Sequence, residues 1–204
     1  KSLLFLIFRK ANRLQNELTL FGTKKYENVW EDICKKITND SYPKIKKNHT
    51  LFPNPKWKIF DKNKLSSSDL RPDILSLDEK RDIYYLFDAK YYQLEFEDKI
   101  NGEPGYKDIL KQFIYHDHIE DLFKGKKVFN ALLFPVLDDD FKGFKDRLEY
   151  KNYNQHRAVI GCVTYDLNVY KNKKISIILC PFSKWQHMYI NHKSLDFSDI
   201  FWYQ

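Results

Sequence analysis

The stretch RPDILSLDEKRDIYYLFDAKYYQ, Arg71 to Gln93, constrains the fold more than any other part of the chain. Two apolar, strand-like runs flank a charged turn, so the segment reads as a β-hairpin. Its acids sit where a strand usually excludes them. Asp73 opens the first run beside Ile74 and Leu75, and Asp88 lies among Leu86, Phe87 and Ala89. Ionisable groups in near-continuous apolar strands are costly unless they are paired or used. A turn centred near Lys80 or Arg81 places Asp73 opposite Phe87 or Asp88, and facing or diagonal strand neighbours lie within roughly 4.5–8 Å. Asp88 and Lys90 are two apart and share a face, while Ala89 points to the other. Two readings stay open at this level. In one, Asp88–Lys90 is an ordinary ion pair worth under about 1 kcal/mol, with Asp73 capping the strand end. In the other, two carboxylates with an ammonium beside them share a cation, and an oxygen-only ligand set suits a hard ion such as Mg²⁺ rather than zinc.

The rest of the chain supplies the frame. TKKYENVWEDICKKI spaces Tyr26, Trp30, Ile33 and Ile37 as one face of a helix, and Lys35 and Lys36 suit its C-terminal end. SYPKIKKNHTLFPNPKWKIF is Pro-broken and basic, hence a loop. NGEPGYKD punctuates the chain before a helix from about Lys107 to Phe123, with Ile109, Leu110, Phe113 and Ile114 on its apolar side. KKVFNALLFPV is a buried strand, and LDDDFKGFKDRLEYKNYNQH a polar, mobile stretch. RAVIGCVTYDL and KKISIILCPF are further strands, and SKWQHMYINH a short helix capped by Ser183. This order predicts an α/β fold with a central mixed β-sheet flanked by helices.

Composition narrows the function classes. The 204 residues fit one domain, 43% hydrophobic residues are enough for a core, and a net charge of +7 favours polyanionic partners. The cysteines Cys34, Cys162 and Cys180 are far apart with no CxxC, which excludes a zinc ribbon or disulfide scaffold and fits a reducing cytoplasm. The opening KSLLFLIF is too short to span a bilayer, so a soluble protein without membrane association is expected. The chain begins on Lys1 rather than Met, and is expected to be a fragment of a longer one. Neither GxxxxGK[ST] nor GxGxxG occurs, so no nucleotide site is indicated.

Pro72-Asp73, fourteen residues, then Asp88-Ala89-Lys90 resembles the PD-(D/E)xK nuclease signature. Together with FGTKKYENVWEDICKKI, FDAKYY and PGYKDILKQFIYH, the set is similar to the LlaJI-type restriction endonucleases, relatives of the McrC nuclease subunit. These pieces run from Phe21 to His116, with FNALLFPV in the expected place after them. The resemblance implies a PD-(D/E)xK restriction-endonuclease-like core over about 21–135, with 136–204 adding a loop, extra strands and a C-terminal helix to a single nuclease domain 1–204. It implies that Asp73, Asp88 and the main-chain carbonyl of Ala89 bind Mg²⁺, for which Mn²⁺ can substitute, and that Lys90 orients the attacking water. Related nucleases add a Glu from the preceding helix; Glu31 matches best, with Glu27 one turn earlier as the fallback. Gln112, sharing a helical stripe with Asp108 and Tyr115, would contact the substrate or a water, whereas the family's Q-x-x-x-Y has His116 in its fifth place here and leaves Tyr115 without a catalytic match. Lys107 and Lys111 would touch phosphates.

The implied activity is Mg²⁺-dependent hydrolysis of DNA phosphodiester bonds in a bacterial McrBC/LlaJI-type restriction system. The implied partners are double-stranded DNA, a McrB-like GTP-hydrolysing recognition subunit and a second copy of the chain on DNA. The rivals are a structure-selective or repair nuclease of the same fold, and a catalytically silent module that only binds DNA or a partner. Other candidates are weaker. His116-Asp117-His118 diverge on a helix, Asp138-Asp139-Asp140 read as solvated, and Trp57, Trp185 and Trp202 suit packing more than base stacking.

Overall fold

The structure, a computed structural model, describes residues 25–53, 56–59, 62–65, 70–92, 94–96, 100–145 and 152–197. The first helix, α1 (Tyr26–Ile37), buries Trp30, Ile33, Cys34 and Ile37 along one stripe, as the spacing predicts. Thr38 closes it, its hydroxyl donating to the Cys34 carbonyl at 2.8 Å.

The Pro-broken segment is more ordered than its sequence predicts. It holds a helix, α2 (Tyr42–Asn48), and a hairpin of β1 (Lys56–Ile59) and β2 (Lys62–Leu65). Pro43 occupies the first turn of α2, where its missing N–H would have had no partner inside the helix in any case. Tyr42 and Ile45 anchor α2 against Leu75 and Tyr84 of the main sheet.

The predicted hairpin is β3 (Ile74–Asp78) and β4 (Ile83–Ala89). Its turn is built by Asp78, whose carboxylate accepts from the backbone N–H of Lys80 at 3.0 Å and of Arg81 at 3.2 Å. Asp82 takes the left-handed conformation (φ 60°) that closes it. The ladder pairs Ile74 with Phe87 and Asp78 with Ile83. Continued one step, that register sets Asp73 opposite Asp88.

A small pair, β5 (Glu95–Phe96) and β6 (Ile100–Asn101), leads into α3 (Tyr106–Leu122). Then follow β7 (Lys127–Val136), α4 (Asp138–Lys142), β8 (Tyr153–Asn154), β9 (Arg157–Val163), β10 (Ile175–Pro181) and α5 (Phe182–Ile190). The six-stranded sheet has the order β3-β4-β7-β10-β9-β8. β4, β7 and β10 run parallel, and β3, β9 and β8 run antiparallel to their neighbours, so the sheet is mixed. Its central strands are buried on both faces, which accounts for the continuous apolar runs of β7 and β10.

Helices cover both faces. On one, Trp30 of α1 meets Trp185 of α5 at a ring separation of 5.5 Å over Phe87, Leu133 and Cys180. On the other, α3 lays Ile109 and Phe113 over Leu132 and Phe134. The sheet's β3 edge is covered by the chain just after α1. The Ser41 N–H donates to the Leu75 carbonyl at 2.8 Å, the Leu75 N–H to the Asp40 carboxylate at 3.0 Å, and the Leu77 N–H to the Ser41 hydroxyl at 3.3 Å.

Two further expectations are corrected. Ser183 does not cap α5: Pro181 holds the cap position, and the Ser183 hydroxyl, one residue inside the helix, donates to the Asp138 carboxylate. The stretch after β7 is not uniformly irregular, since Asp138–Lys142 form α4 with Phe141 buried beneath it. Three acids suit the positive end of a helix, which is why they sit in its first turn. Among the described residues, no helix is long and apolar enough to cross a membrane.

Candidate active site

The register of β3 on β4 gathers the two aspartates at one end of the sheet. The Ala89 N–H donates to Asp73 Oδ2 at 3.0 Å, tying the start of β3 to the end of β4. Asp88 is only 1% exposed, and the Lys90 ammonium stands 2.6 Å from its Oδ2. Lys90 also reaches Asp108 Oδ2 on α3 at 3.4 Å, while its own N–H donates to the Leu133 carbonyl at 2.9 Å. The ammonium is thus held between strand and helix by two carboxylates.

The electrostatics separate the two aspartates. Burial, then the charges of Asp88 and Glu31, push the Asp73 carboxyl up to about 7, against the lowering pull of the Ala89 N–H and Lys90. Burial works against the charge on Lys90, but Asp88 and Asp108 outweigh it and raise its pKa above the ordinary lysine value. Near neutral pH the pocket therefore holds a fixed cation and a carboxyl half way through its titration. Such a carboxyl becomes fully ionised when a further positive charge is brought beside it.

Glu31 and Glu27 part company in the structure. Glu31 is among the charges acting on Asp73, and it makes an i,i+4 ion pair with Lys35. Glu27 is exposed and acts on Tyr91 instead. Among the described residues no three His, Cys, Asp or Glu side chains form a metal-holding group. The candidate is accordingly a two-carboxylate site with Glu31 outside its immediate ring. Asp73, Asp88 and the Ala89 carbonyl are a set of hard oxygen donors, and burial together with the neighbouring Asp88 and Glu31 charges raises the Asp73 carboxyl even with Lys90 nearby. These residues fit a hard divalent ion.

Gln112 lies on the helix that supplies Asp108, one turn further along. It is fully buried, and neither its amide oxygen nor its nitrogen has a hydrogen-bond partner among the described residues. Its backbone carbonyl accepts from the Asn130 side chain at 3.0 Å, so the helix is anchored to β7 at this point. Tyr115 has a structural role: its hydroxyl donates to the Arg71 carbonyl at 2.9 Å and fixes the approach to Pro72-Asp73. Lys107 is exposed, and Lys111 lies 3.8 Å from Asp108. Sequence reasoning placed Asp108 on this stripe but missed that it is the second partner of Lys90; its spacing of four from Gln112 was the available signal.

The remaining candidates disperse. His116 pairs with Glu120 at 3.1 Å, Asp117 with Lys173, and His118 packs on the Phe52 ring at 5.0 Å. Asp138 binds Ser183, and Asp139 pairs with Lys142 at 3.0 Å. Trp185 is a core residue, its indole N–H donating to the His156 carbonyl at 2.8 Å, and Trp57 is exposed on β1. Trp202 lies outside the described residues.

No solved structure matches the chain. The Type II restriction enzyme BsuMI component YdjA of Bacillus subtilis (strain 168) is 29% identical over 209 residues, covering 98% of this chain. The chain spans only 40% of that relative's length. The LlaJI restriction endonuclease family matches residues 1–160, which include the hairpin, α3 and β7. The chain belongs to the LlaJI restriction endonuclease family.

Proposed function

We propose that this chain is the DNA-cutting part of a bacterial restriction system, a PD-(D/E)xK nuclease that hydrolyses phosphodiester bonds with Mg²⁺ and accepts Mn²⁺. One observation carries the reading: Asp73 and Asp88 converge at a strand end with Lys90 held beside them and Asp73 poised near 7. Asp73, Asp88 and the Ala89 carbonyl would hold the cation. When bound, it supplies charge neutralisation at the phosphoryl oxygens and a more acidic water. The chain's own residues do the positioning. Lys90 keeps its proton on Nζ and donates to the attacking water or to a phosphoryl oxygen. Asp108 keeps that ammonium at the strand end when the Asp88 carboxylate is otherwise engaged. The buried, unpartnered Gln112 amide would hold a water, Glu31 adds negative charge behind Asp73, and Lys107 and Lys111 meet flanking phosphates.

The name of the Bacillus relative, a component of a restriction enzyme, supports a multi-part assembly. The proposed partner is a McrB-like GTP-hydrolysing subunit that recognises the target, with a second copy of this chain supplying the cut on the opposite strand. The test is cleavage of supercoiled plasmid in Mg²⁺ or Mn²⁺. Cutting that EDTA stops, and that Lys90→Ala and Asp88→Asn each reduce at least about a hundredfold, is expected. Undiminished cutting by Asp88→Asn would remove the hairpin from the mechanism.

A further inference from the structure

We propose that the cleft between the β8–β9 turn and α5 is a second phosphate-binding site, one that grips a backbone phosphate of duplex DNA away from the Asp73–Asp88 centre. That the phosphate belongs to DNA rests on the nuclease reading; the phosphate chemistry does not. The cleft is open, about 810 Å³, and His156, Lys184, His187 and Lys193 line it. Each is placed by backbone structure. His156 sits in the turn before β9, with its N–H on the Asn154 side chain at 2.8 Å and its carbonyl on the Trp185 indole. Lys184, in the first turn of α5, donates to the Gln155 carbonyl at 2.9 Å, which holds its stem across the turn. The Lys193 N–H returns to the Met188 carbonyl at 2.9 Å and sets that side chain on the opposite wall.

Neither Lys184 nor Lys193 has a carboxylate partner among the described residues, whereas Lys35, Lys90, Lys126 and Lys173 do. Among the described residues, Asp196 pairs with Arg81 at 3.4 Å, and Asp138 accepts from the Ser183 hydroxyl at the rim of the cleft. His156 Nδ1 is buried with no hydrogen-bond partner among the described residues. Burial, then the charges of Lys184, Arg157 and Lys193, hold the His156 imidazole below its usual pKa. The first turn of α5 adds the positive end of a helix dipole. Two ammonium groups without carboxylate partners, two imidazoles and a helix N-terminus around one opening suit a phosphate.

The sheet topology selects duplex DNA as the source. β4, β7 and β10 are parallel and β9 is antiparallel, so the end of β4 with Asp88 and the start of β9 beside His156 lie at the same edge of the sheet. Three strand spacings separate β4 from β9, roughly 14 Å. The Asp88–Lys90 pair faces α3 and the cleft lies on the α5 face, so that spacing is the least distance between them. A duplex laid across this end of the sheet would reach both.

The experiment measures binding of a labelled 20-base-pair duplex to the full chain in EDTA, where cutting does not interfere, as a function of salt. Lys184→Ala/Lys193→Ala should bind about tenfold more weakly, with a log–log salt slope shallower by about two. Lys124→Ala/Lys127→Ala removes the same charge at the opposite end of β7 and should change affinity less than about twofold. Near-UV circular dichroism verifies that each variant is folded. The His156 and His187 imidazole resonances should move on adding duplex, and in the same direction but less on adding inorganic phosphate at matched ionic strength. Equal loss in both double variants, no loss in either, or no duplex binding by the parent overturns the proposal; resonances that answer only to inorganic phosphate overturn the assignment to DNA. Lys184→Ala/Lys193→Ala should bind Mn²⁺ as the parent does, so failure of the cleft and failure of the proposed active site give different results.

Discussion

At the scale of single residues, Asp73 is where the site's chemistry and its stability conflict. Its folded-state value of about 7 lies above the ordinary 3.8, so the group favours the fold fully below pH 4. That contribution is lost progressively as pH rises to 7. In EDTA at pH 8, Asp73→Asn should therefore melt higher than the parent, by no more than about 4 kcal/mol of stability, and thermal melts should show the advantage fading toward pH 4. Added Mn²⁺ should reverse the ranking, raising the melting temperature of the parent and leaving Asp73→Asn and Asp88→Asn unmoved. Calorimetry at pH 7 should also register proton release when the ion binds the parent, because Asp73 must ionise to bind it.

At the scale of elements, the hairpin is held by what lies behind it. Tyr115→Phe removes the bond to the Arg71 carbonyl and should cost about 1 kcal/mol in denaturant melts. Any loss of activity should exceed what that destabilisation explains, since Arg71 leads directly into Pro72-Asp73. Trp185→Ala should cost about 3–5 kcal/mol, because it empties the joint between α1 and α5 and strips the His156 carbonyl of its donor. The helix α1 was legible because its apolar residues recur at one period, and β7 and β10 because their apolar runs are continuous. α3 was placed by the turn signals before it, although it buries Gln112 and His116 and exposes Ile114. The Asp73–Asp88–Lys90 cluster was legible because Asp78 fixes the turn, and the turn fixes the register. α2 was hidden by Pro43, which sequence reading takes as a breaker though it occupies a first turn. Asp108 as a partner of Lys90 and the α5 cleft were hidden for another reason. They depend on contacts between segments 18 and about 30 residues apart, and no local pattern encodes those.

At the scale of the whole molecule, one core runs from Trp30 to Phe197 through α1, β3, β4, β7, β9, β10 and α5. Elements that share a core so widely spread in sequence unfold together. Calorimetry should give a single transition, with the near-UV signal from Trp30 and Trp185 lost at the same temperature as far-UV ellipticity. Two resolved transitions would instead mark 136–204 as an independent unit.

The cover on β3 has a consequence for how two cuts could be made. Edge strands invite a second sheet to add on, and a backbone amide already engaged cannot join such an extension. Here the outer amides of Leu75 and Leu77 are spent on Asp40 and Ser41, next to the strand start that carries Asp73. Two copies of this chain therefore cannot fuse their sheets through β3 into one continuous layer. Copies acting on one duplex would meet through surfaces other than the β3 edge, leaving each hairpin open.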